Sequence, residues 1–478
     1  MMAWGTTQLI VTAGDTEQQK VIDHVREAGQ GHVFKYWEEL NESSRASLLN
    51  QLQQVDLTLM AALHEKFIKS GHDSQKKGDL KPADFINLPT TEQQQAAYHQ
   101  AKKVGEEALR AGRVAAFLVA GGQGTRLGFN GPKGKFPVSP VKNKTLFQLH
   151  AEKILALSRK YDVAIPWYIM TSETNHEESV EFFESNSYFG LGAGNMMFFR
   201  QEMIPALSPH GKLILDAKDH IFRNPNGHGG SLSALKNSGA LDDMKGRGVD
   251  IIFYFQVDNV LVKMCDPVFL GYHIQEDAEM SAKVVVKTEP AEKVGVLGCV
   301  DSRLGVIEYS DLSETQMQAR NADGSLKFQA GNIAIHILNV DFVEKENEGG
   351  LRLPWHVAHK KIPCLDETGS VVEQDQTNGY KFETFVFDAL GDAKRTVILE
   401  VDRAEEFSPV KNKEGVDSPE TARRDLGNQF RRWLEAAGVA WSVGKDAIEI
   451  SPLFALDAED LKEKLPSDFQ ISTGVYLA

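Results

Sequence analysis

Residues Leu118–Lys133 read LVAGGQGTRLGFNGPK. The run leading into them, Val114–Ala120, is wholly apolar and strand-sized. Gly121, Gly122 and Gly124 then fall within four residues. Glycine at such positions lets backbone N–H groups approach phosphate oxygens with no Cβ in the way. Thr125 can add a hydroxyl donor, Arg126 a forked cation and Lys133 a point charge. Pro132 stiffens the backbone before Lys133. Two other phosphate loops do not fit. A dinucleotide fingerprint needs GxGxxG, and after Gly122 and Gly124 the next glycine is Gly128, one residue late. A Walker loop needs GxxxxGK(S/T), but Gly134-Lys135 is followed by Phe136. The stretch reads as a loop for a nucleoside triphosphate; its competitor is a tight strand-to-helix turn with an incidental arginine.

Working outward, the strand at Val114–Ala120 precedes a helix near Thr145–Lys160. A second apolar run, Val163–Met170, precedes a helix near His176–Ser185, and a third spans Asp250–Val257. Apolar strands alternating with helices imply an α/β fold with a mixed, mostly parallel sheet covered on both faces. Ligands bind such sheets at the carboxyl ends of the strands, where the glycine loop and Asp258 both fall. A carboxylate there suits Mg²⁺; the plainer reading of Asp258-Asn259 is an Asx turn leaving the strand.

Before this core, residues 1–105 read as an N-terminal helical domain. Leu48, Leu52, Val55, Leu59 and Leu63 recur at steps of three and four, as on one buried helix face. Thr90 with Gln93 has the form of a capping box, opening a helix that runs to Ala111 and ends at Gly112. The central catalytic domain is expected over 106–393. A small C-terminal α+β domain is expected over 394–478, with a strand at Thr396–Val401 and an amphipathic helix at Thr421–Ala436.

The 478 residues carry a net charge of −15, with 42% hydrophobic and 25% charged residues. That acidity argues against nucleic acid or an anionic membrane as partner. Anionic substrates must then be gathered by a few placed cations. Cys265, Cys299 and Cys364 form no CxxC pair, so neither a disulfide framework nor a zinc knuckle is expected. The opening MMAWGTTQLIVTAGDTEQQK has no basic n-region or proper h-region. No apolar run approaches the ~20 residues of a membrane span. The expected location is the cytoplasm.

GGxGTRLG followed by PKG resembles the signature of the sugar nucleotidyltransferases. Its form is similar to the eukaryotic-type UDP-N-acetylglucosamine pyrophosphorylases within the UDP-sugar pyrophosphorylase superfamily, over roughly Val33 to Ala437. The resemblance implies a central Rossmann-like domain of glycosyltransferase-A type, and transfer from UTP to a sugar 1-phosphate with release of pyrophosphate and Mg²⁺ as cofactor. It places Gly121, Gly122, Gly124 and Thr125 at the nucleotide, and Arg126 and Lys133 at the triphosphate. In FFRQEMIPA (Phe198–Ala206), Gln201 would read the uracil edge, since an amide offers donor and acceptor side by side. In NPNGHGGS (Asn224–Ser231), Gly227 matches a uracil-contacting glycine. His228 stands where the N-acetylglucosamine enzymes have asparagine and UDP-glucose enzymes have histidine. Asp258 would contact metal and nucleotide, and Asn259 the sugar side. Gly295, Glu308 and Asn332 would bond sugar hydroxyls. AGNIAIH departs from the family form AGNIANH at Ile335, although Ile333 and Ile335 also suit plain sheet positions. Lys381 and Lys411 would bind the phosphates of sugar 1-phosphate and product.

The leading expectation is thus a uridylyltransferase for N-acetylglucosamine 1-phosphate. The alternative is glucose or galactose 1-phosphate, motivated by His228 and Ile335. A non-catalytic UDP-sugar-binding protein would have been marked by loss of Arg126, Lys133 or Asp258. A dinucleotide oxidoreductase is disfavoured by the glycine spacing.

Overall fold

A computed structural model describes residues 16–70, 78–439, 447–466, 469 and 475–478. The opening stretch, read above as lacking the marks of a secretory signal, falls mostly on 1–15, outside the described residues. Among the described residues the central sheet has ten strands. They are β1 (Leu80–Pro82), β2 (Val114–Val119), β3 (Trp167–Thr171), β4 (Met196–Arg200), β5 (Ile251–Gln256), β6 (Met280–Val286), β7 (Val296–Val300), β8 (Arg303–Ile307), β9 (Ala330–Asn339) and β10 (Thr396–Glu400).

The main path runs β1-β7-β9-β5-β2-β3-β4, with β8 beside β7 and β6 joining β9 to β10. The sheet is mixed as expected but not mostly parallel, since parallel pairing is confined to β5-β2-β3-β4 and to β6-β10. The other ladders are antiparallel. In β2 every residue through Leu118 is buried. Ala116 and Leu118 join one core with Leu109, Ile154 and Phe253, while Ala115 and Phe117 join another with Tyr168, Leu232 and Leu241. Cover on both faces is why the run is continuously apolar rather than alternating.

The helices Leu146–Tyr161 and His176–Ser185 lie where the sequence places them. Helix Glu92–Arg110 starts one residue later than read: Thr91 and Gln94, not Thr90 and Gln93, form the capping box. The Gln94 side chain accepts N–H bonds from both Thr90 and Thr91, which fixes the register. It ends as expected, with Gly112 at a φ of 70°. This helix crosses Pro267–Gln275 with backbones touching. A Cβ on Gly105 would lie 1.8 Å from the Pro267 carbonyl oxygen, and one on Gly271 1.8 Å from that of Ala101. The strand read as opening a C-terminal domain is β10, an edge of the central sheet paired in parallel with β6. Helix Pro419–Ala436, helix Ala458–Lys464 and the short pair Glu449–Ile450 with Tyr476–Leu477 complete this part of the chain.

The chain divides into two compact units, and neither is contiguous. One holds the sheet, over Lys76–Glu202, His228–Pro354 and Phe385–Ala478; the other takes the residues up to Gln75 with Met203–Gly227 and Trp355–Thr384. This is a different partition from three successive domains. In the smaller unit, Leu48 through Leu63 is two helices, Glu42–Gln53 and Leu57–Leu63, rather than one face of a single helix. Asp56 breaks the run by capping the second helix, accepting the Leu59 N–H at 2.9 Å. Leu48, Leu52 and Leu63 are buried with Leu207, Ile221 and Phe382. Gln51 sews the same unit together, donating to the Asp219 carbonyl and accepting from Ile221 N–H. The three cysteines are free thiols.

Candidate active site

The carboxyl ends of β2, β3, β4 and β5 point the same way because these strands are parallel. Gly121 follows β2, Ser172 follows β3, Gln201 follows β4 and Asp258 lies just past β5. The glycine loop doubles back on itself after β2. Gly124 N–H donates to the Gly131 carbonyl at 2.9 Å, and Lys133 N–H to the Gly122 carbonyl at 3.1 Å. Gly124 tolerates no side chain, because its Cβ would sit 2.8 Å from the Phe129 ring and 3.0 Å from the Phe129 carbonyl oxygen. Thr125 and Arg126 are exposed on the turn.

The fold-back carries Lys133 to Asp258. Its Nζ lies 3.5 Å from Asp258 Oδ2, with the side chains only 13% and 12% exposed. At the other side of the loop, Gln201 is buried and its Oε1 lies where a Gly121 Cβ would be only 2.9 Å away. The structure thus brings together the loop glycines, Lys133, Gln201 and Asp258.

Sequence reasoning missed two supports. Asn175 is buried, and its Nδ2 donates to the carbonyls of Ala120 and Gly122 at 3.0 and 3.3 Å, while its Oδ1 accepts the Ser172 N–H. That single amide ties the end of β3 to the start of the glycine loop. Its position before helix His176–Ser185 reads as an ordinary helix cap, so no signal in sequence marks it. His150, fully buried, bonds the Val257 carbonyl at 3.1 Å. Burial, with the charge of Lys153, pushes its pKa down to about 3.

The loop bearing Lys411 is fastened to the same strand end: Val410 N–H donates to the Asp258 carbonyl at 3.0 Å. Lys411 is exposed, with Nζ 3.8 Å from Asp417 Oδ2. Burial raises the Asp417 pKa; Lys411 opposes the rise and the nearby Asp258 carboxylate adds to it.

On the side read as the sugar pocket, three residues meet. Asn332 N–H donates to the Gly295 carbonyl at 2.9 Å, and a Cβ on Gly295 would lie 3.3 Å from Glu308 Oε1. Asn332 Oδ1 also accepts the Ala334 N–H at 3.1 Å. Asn259 is different. It is buried, donates Nδ2 to the Glu406 carbonyl at 2.7 Å, and accepts from Ser408 and Leu261 N–H groups at 3.0 and 3.3 Å. Its side chain holds the main chain of 406–408 to the end of β5. Ile333 and Ile335 are buried in the core that contains Phe255 and Val257, so they are sheet residues.

His228 Nδ1 accepts the Val386 N–H at 3.2 Å, and its ring lies 5.2 and 5.3 Å from those of Phe385 and Phe387. A nitrogen that accepts an N–H carries no proton, so the neutral ring holds its proton on Nε2. His336, fully buried, is driven to a pKa of about 3 chiefly by burial, and His228 adds to the lowering only when its ring is protonated.

Gly227 and Lys381 belong to the smaller unit. Gly227 has a φ of 82°, and a Cβ there would lie 2.2 Å from the Thr384 carbonyl oxygen, so only glycine fits. Lys381 lies on the strand Gly379–Thr384, with Nζ 4.9 Å from the centre of the Phe222 ring. Burial lowers its pKa, Glu383 opposes, and Lys360 adds to the lowering.

A glycine loop, a buried amide and a cation–carboxylate pair at the ends of parallel strands belong to the α/β proteins that handle nucleotides. Comparison with known proteins makes this specific. Residues 60–416 match the family model described as UTP–glucose-1-phosphate uridylyltransferase, and the chain belongs to that family. The UDP-N-acetylhexosamine pyrophosphorylase-like protein 1 of Xenopus tropicalis is 39% identical, over 86% of this chain and 84% of its own. The UDP-N-acetylglucosamine pyrophosphorylase of Saccharomyces cerevisiae is 35% identical, over 91% and 95%. The crystal structure of the uridine diphosphate N-acetylglucosamine pyrophosphorylase from Trypanosoma brucei, in complex with inhibitor, superposes with a TM-score of 0.81 at 29% identity, over 94% and 95%. Among the described residues no helix is long and apolar enough to cross a membrane.

Proposed function

We propose that this chain transfers the uridylyl group of UTP to N-acetylglucosamine 1-phosphate, forming UDP-N-acetylglucosamine and pyrophosphate. The observation that supports it most is Lys133 drawn by the glycine loop to within 3.5 Å of Asp258. A phosphate oxygen of the sugar 1-phosphate attacks the α-phosphorus of UTP. The bond to the oxygen bridging the β-phosphorus breaks, and pyrophosphate leaves with the charge. The nucleophile is already an anion, so positioning and charge neutralisation suffice without a general base. Arg126 and Lys133 neutralise the triphosphate, Gln201 and Gly227 orient the base, and Lys381 and Lys411 take the phosphates of sugar 1-phosphate and product.

Mg²⁺ fits the site in a restricted sense. Among the described residues no cluster of three His, Cys, Asp or Glu could hold a metal alone. Mg²⁺ is commonly held by one or two carboxylates together with substrate phosphates. Asp258 would be that carboxylate, and the ion would supply further charge neutralisation. The compartment we propose is the cytoplasm, checked by finding an epitope-tagged chain in the soluble fraction of gently lysed cells.

For the sugar, the glucose or galactose reading rested on His228 and Ile335. Ile335 lies in the core, so only His228 speaks for it. Against it stand the relatives named above as UDP-N-acetylglucosamine and UDP-N-acetylhexosamine pyrophosphorylases. The test is pyrophosphate release from UTP with N-acetylglucosamine, N-acetylgalactosamine, glucose and galactose 1-phosphates. We expect the N-acetylated sugars to be preferred. No release with any of the four overturns the activity, and a preference for glucose 1-phosphate overturns the sugar. His228→Asn is expected to move the rate ratio toward the N-acetylated sugars.

A further inference from the structure

The larger unit also encloses a cavity of about 490 Å³, and none of its lining residues is assigned to the reaction. That volume is in the range of small-molecule sites, roughly 300–1,000 Å³. Its walls come from the helices Glu92–Arg110, Leu146–Tyr161 and Pro419–Ala436, from Val260–Val268, and from the stretch after β10. Leu157, Leu261, Leu426, Phe430 and Trp433 give it an apolar body.

One wall residue stands out chemically. Lys153 donates Nζ to the carbonyls of Val260 and Val262 at 2.7 and 2.9 Å. An ammonium has three donors, and no ion pair to Lys153 occurs among the described residues. Burial draws its pKa down to about 7, against the pull of Glu406. Glu406 is itself bonded to the fully buried Lys283, which also holds Asp266 at 2.8 Å, and Lys263 lies 3.4 Å from Asp266. The other acids of the lining are engaged as well. Glu405 pairs with Arg432 and Glu459 with Lys102, each at 2.6 Å. Asp402 and Asp457 cap helices, and Glu400 accepts the Leu88 N–H. The cavity therefore offers apolar walls and a half-buried ammonium held only by carbonyl oxygens.

We propose that this cavity is a second ligand site, taking a small molecule with an apolar body and one acidic group set against Lys153. An anion there would give the ammonium its missing counter-charge, and the apolar walls would take the rest.

The test compares two dyes on the full chain. 8-Anilinonaphthalene-1-sulfonate carries the acidic group, and N-phenyl-1-naphthylamine has the same rings without it. Fluorescence titration is expected to show one saturable site per chain, about tenfold tighter for the sulfonate. Saturating UTP should leave binding unchanged. Lys153→Met should bring the two dyes to within about twofold of each other. Ala436→Trp, at an exposed lining position, should block both dyes. Equal affinities in the unaltered chain, displacement by UTP, absence of saturable binding, or a dye preference untouched by Lys153→Met would each overturn the proposal. Should Lys153→Met fail to fold, the dye preference and Ala436→Trp still decide.

Discussion

Adding one carbon at Gly121 tests how the base end of the nucleotide is held. A Cβ there would lie 2.9 Å from Gln201 Oε1 but 3.6 Å from Ser172 Cβ. The second contact is ordinary, so only the glutamine must move. Its amide is the far end of a flexible side chain, and Gly121→Ala should leave stability within about 0.5 kcal/mol. What it should lose is the donor–acceptor pair that Gln201 is proposed to offer uracil. Two neutral hydrogen bonds at about 0.5–1.5 kcal/mol each amount to ~1–3 kcal/mol. That is about a 5- to 150-fold fall in kcat/KM for UTP. Gln201→Ala removes the same pair directly, so the double variant should be no worse than Gln201→Ala alone. The assay is initial-rate pyrophosphate release with UTP varied at saturating sugar phosphate, with urea denaturation alongside. Retention of kcat/KM within about twofold, or losses that multiply in the double variant, would show that Gly121 does not act through Gln201.

Three further outcomes are expected. Gly105→Ala should destabilise by at least ~1–3 kcal/mol in urea despite alanine's helix preference of ~1 kcal/mol, because its Cβ meets backbone; an unmoved midpoint would sink this account of the helix crossing. Asn259→Ala should cost about 2–4 kcal/mol by leaving the Glu406 carbonyl and Ser408 N–H unpaired; lost turnover with unchanged thermal stability would instead favour a direct sugar contact. For His336, the folded pKa of about 3 lies below the ordinary 6.5. The unfolded chain then binds the extra proton first, so this histidine's contribution is present above the unfolded pKa and is lost as pH falls from 6.5 toward 3. Relative to the unaltered chain, His336→Phe should gain about 1.4 kcal/mol for each unit that the pH falls across that window; a difference flat with pH, measured by urea unfolding at several pH values, would refute it.

The parts of this fold legible in sequence are those fixed by local rules. β2, β3 and β5 are continuous apolar runs because both faces are covered, and Thr145 caps its helix as threonine should. The glycine loop was legible because only glycine fits at Gly124. What escaped depends on pairing between distant segments. Nothing near Asn175 says that its amide reaches back over fifty residues to Ala120 and Gly122. Asn259 follows a strand end as a ligand-binding residue would, yet its partners are main-chain groups of 406–408. The helix break at Asp56 was hidden because the leucine spacing carries on through it.

The smaller unit is assembled from three stretches of chain, the last of which ends at Thr384. Its first helices bury Leu48 and Leu52 against residues such as Leu207, Ile221 and Phe382, which emerge from the ribosome much later. At about 5–20 residues per second, the wait from Ser70 to Thr384 is roughly 15–60 s. Through that interval the helices expose an apolar face without its cover. Ribosome-bound chains stalled short of Thr384 should accordingly be cleaved by protease within 16–70, and released full-length chains should not.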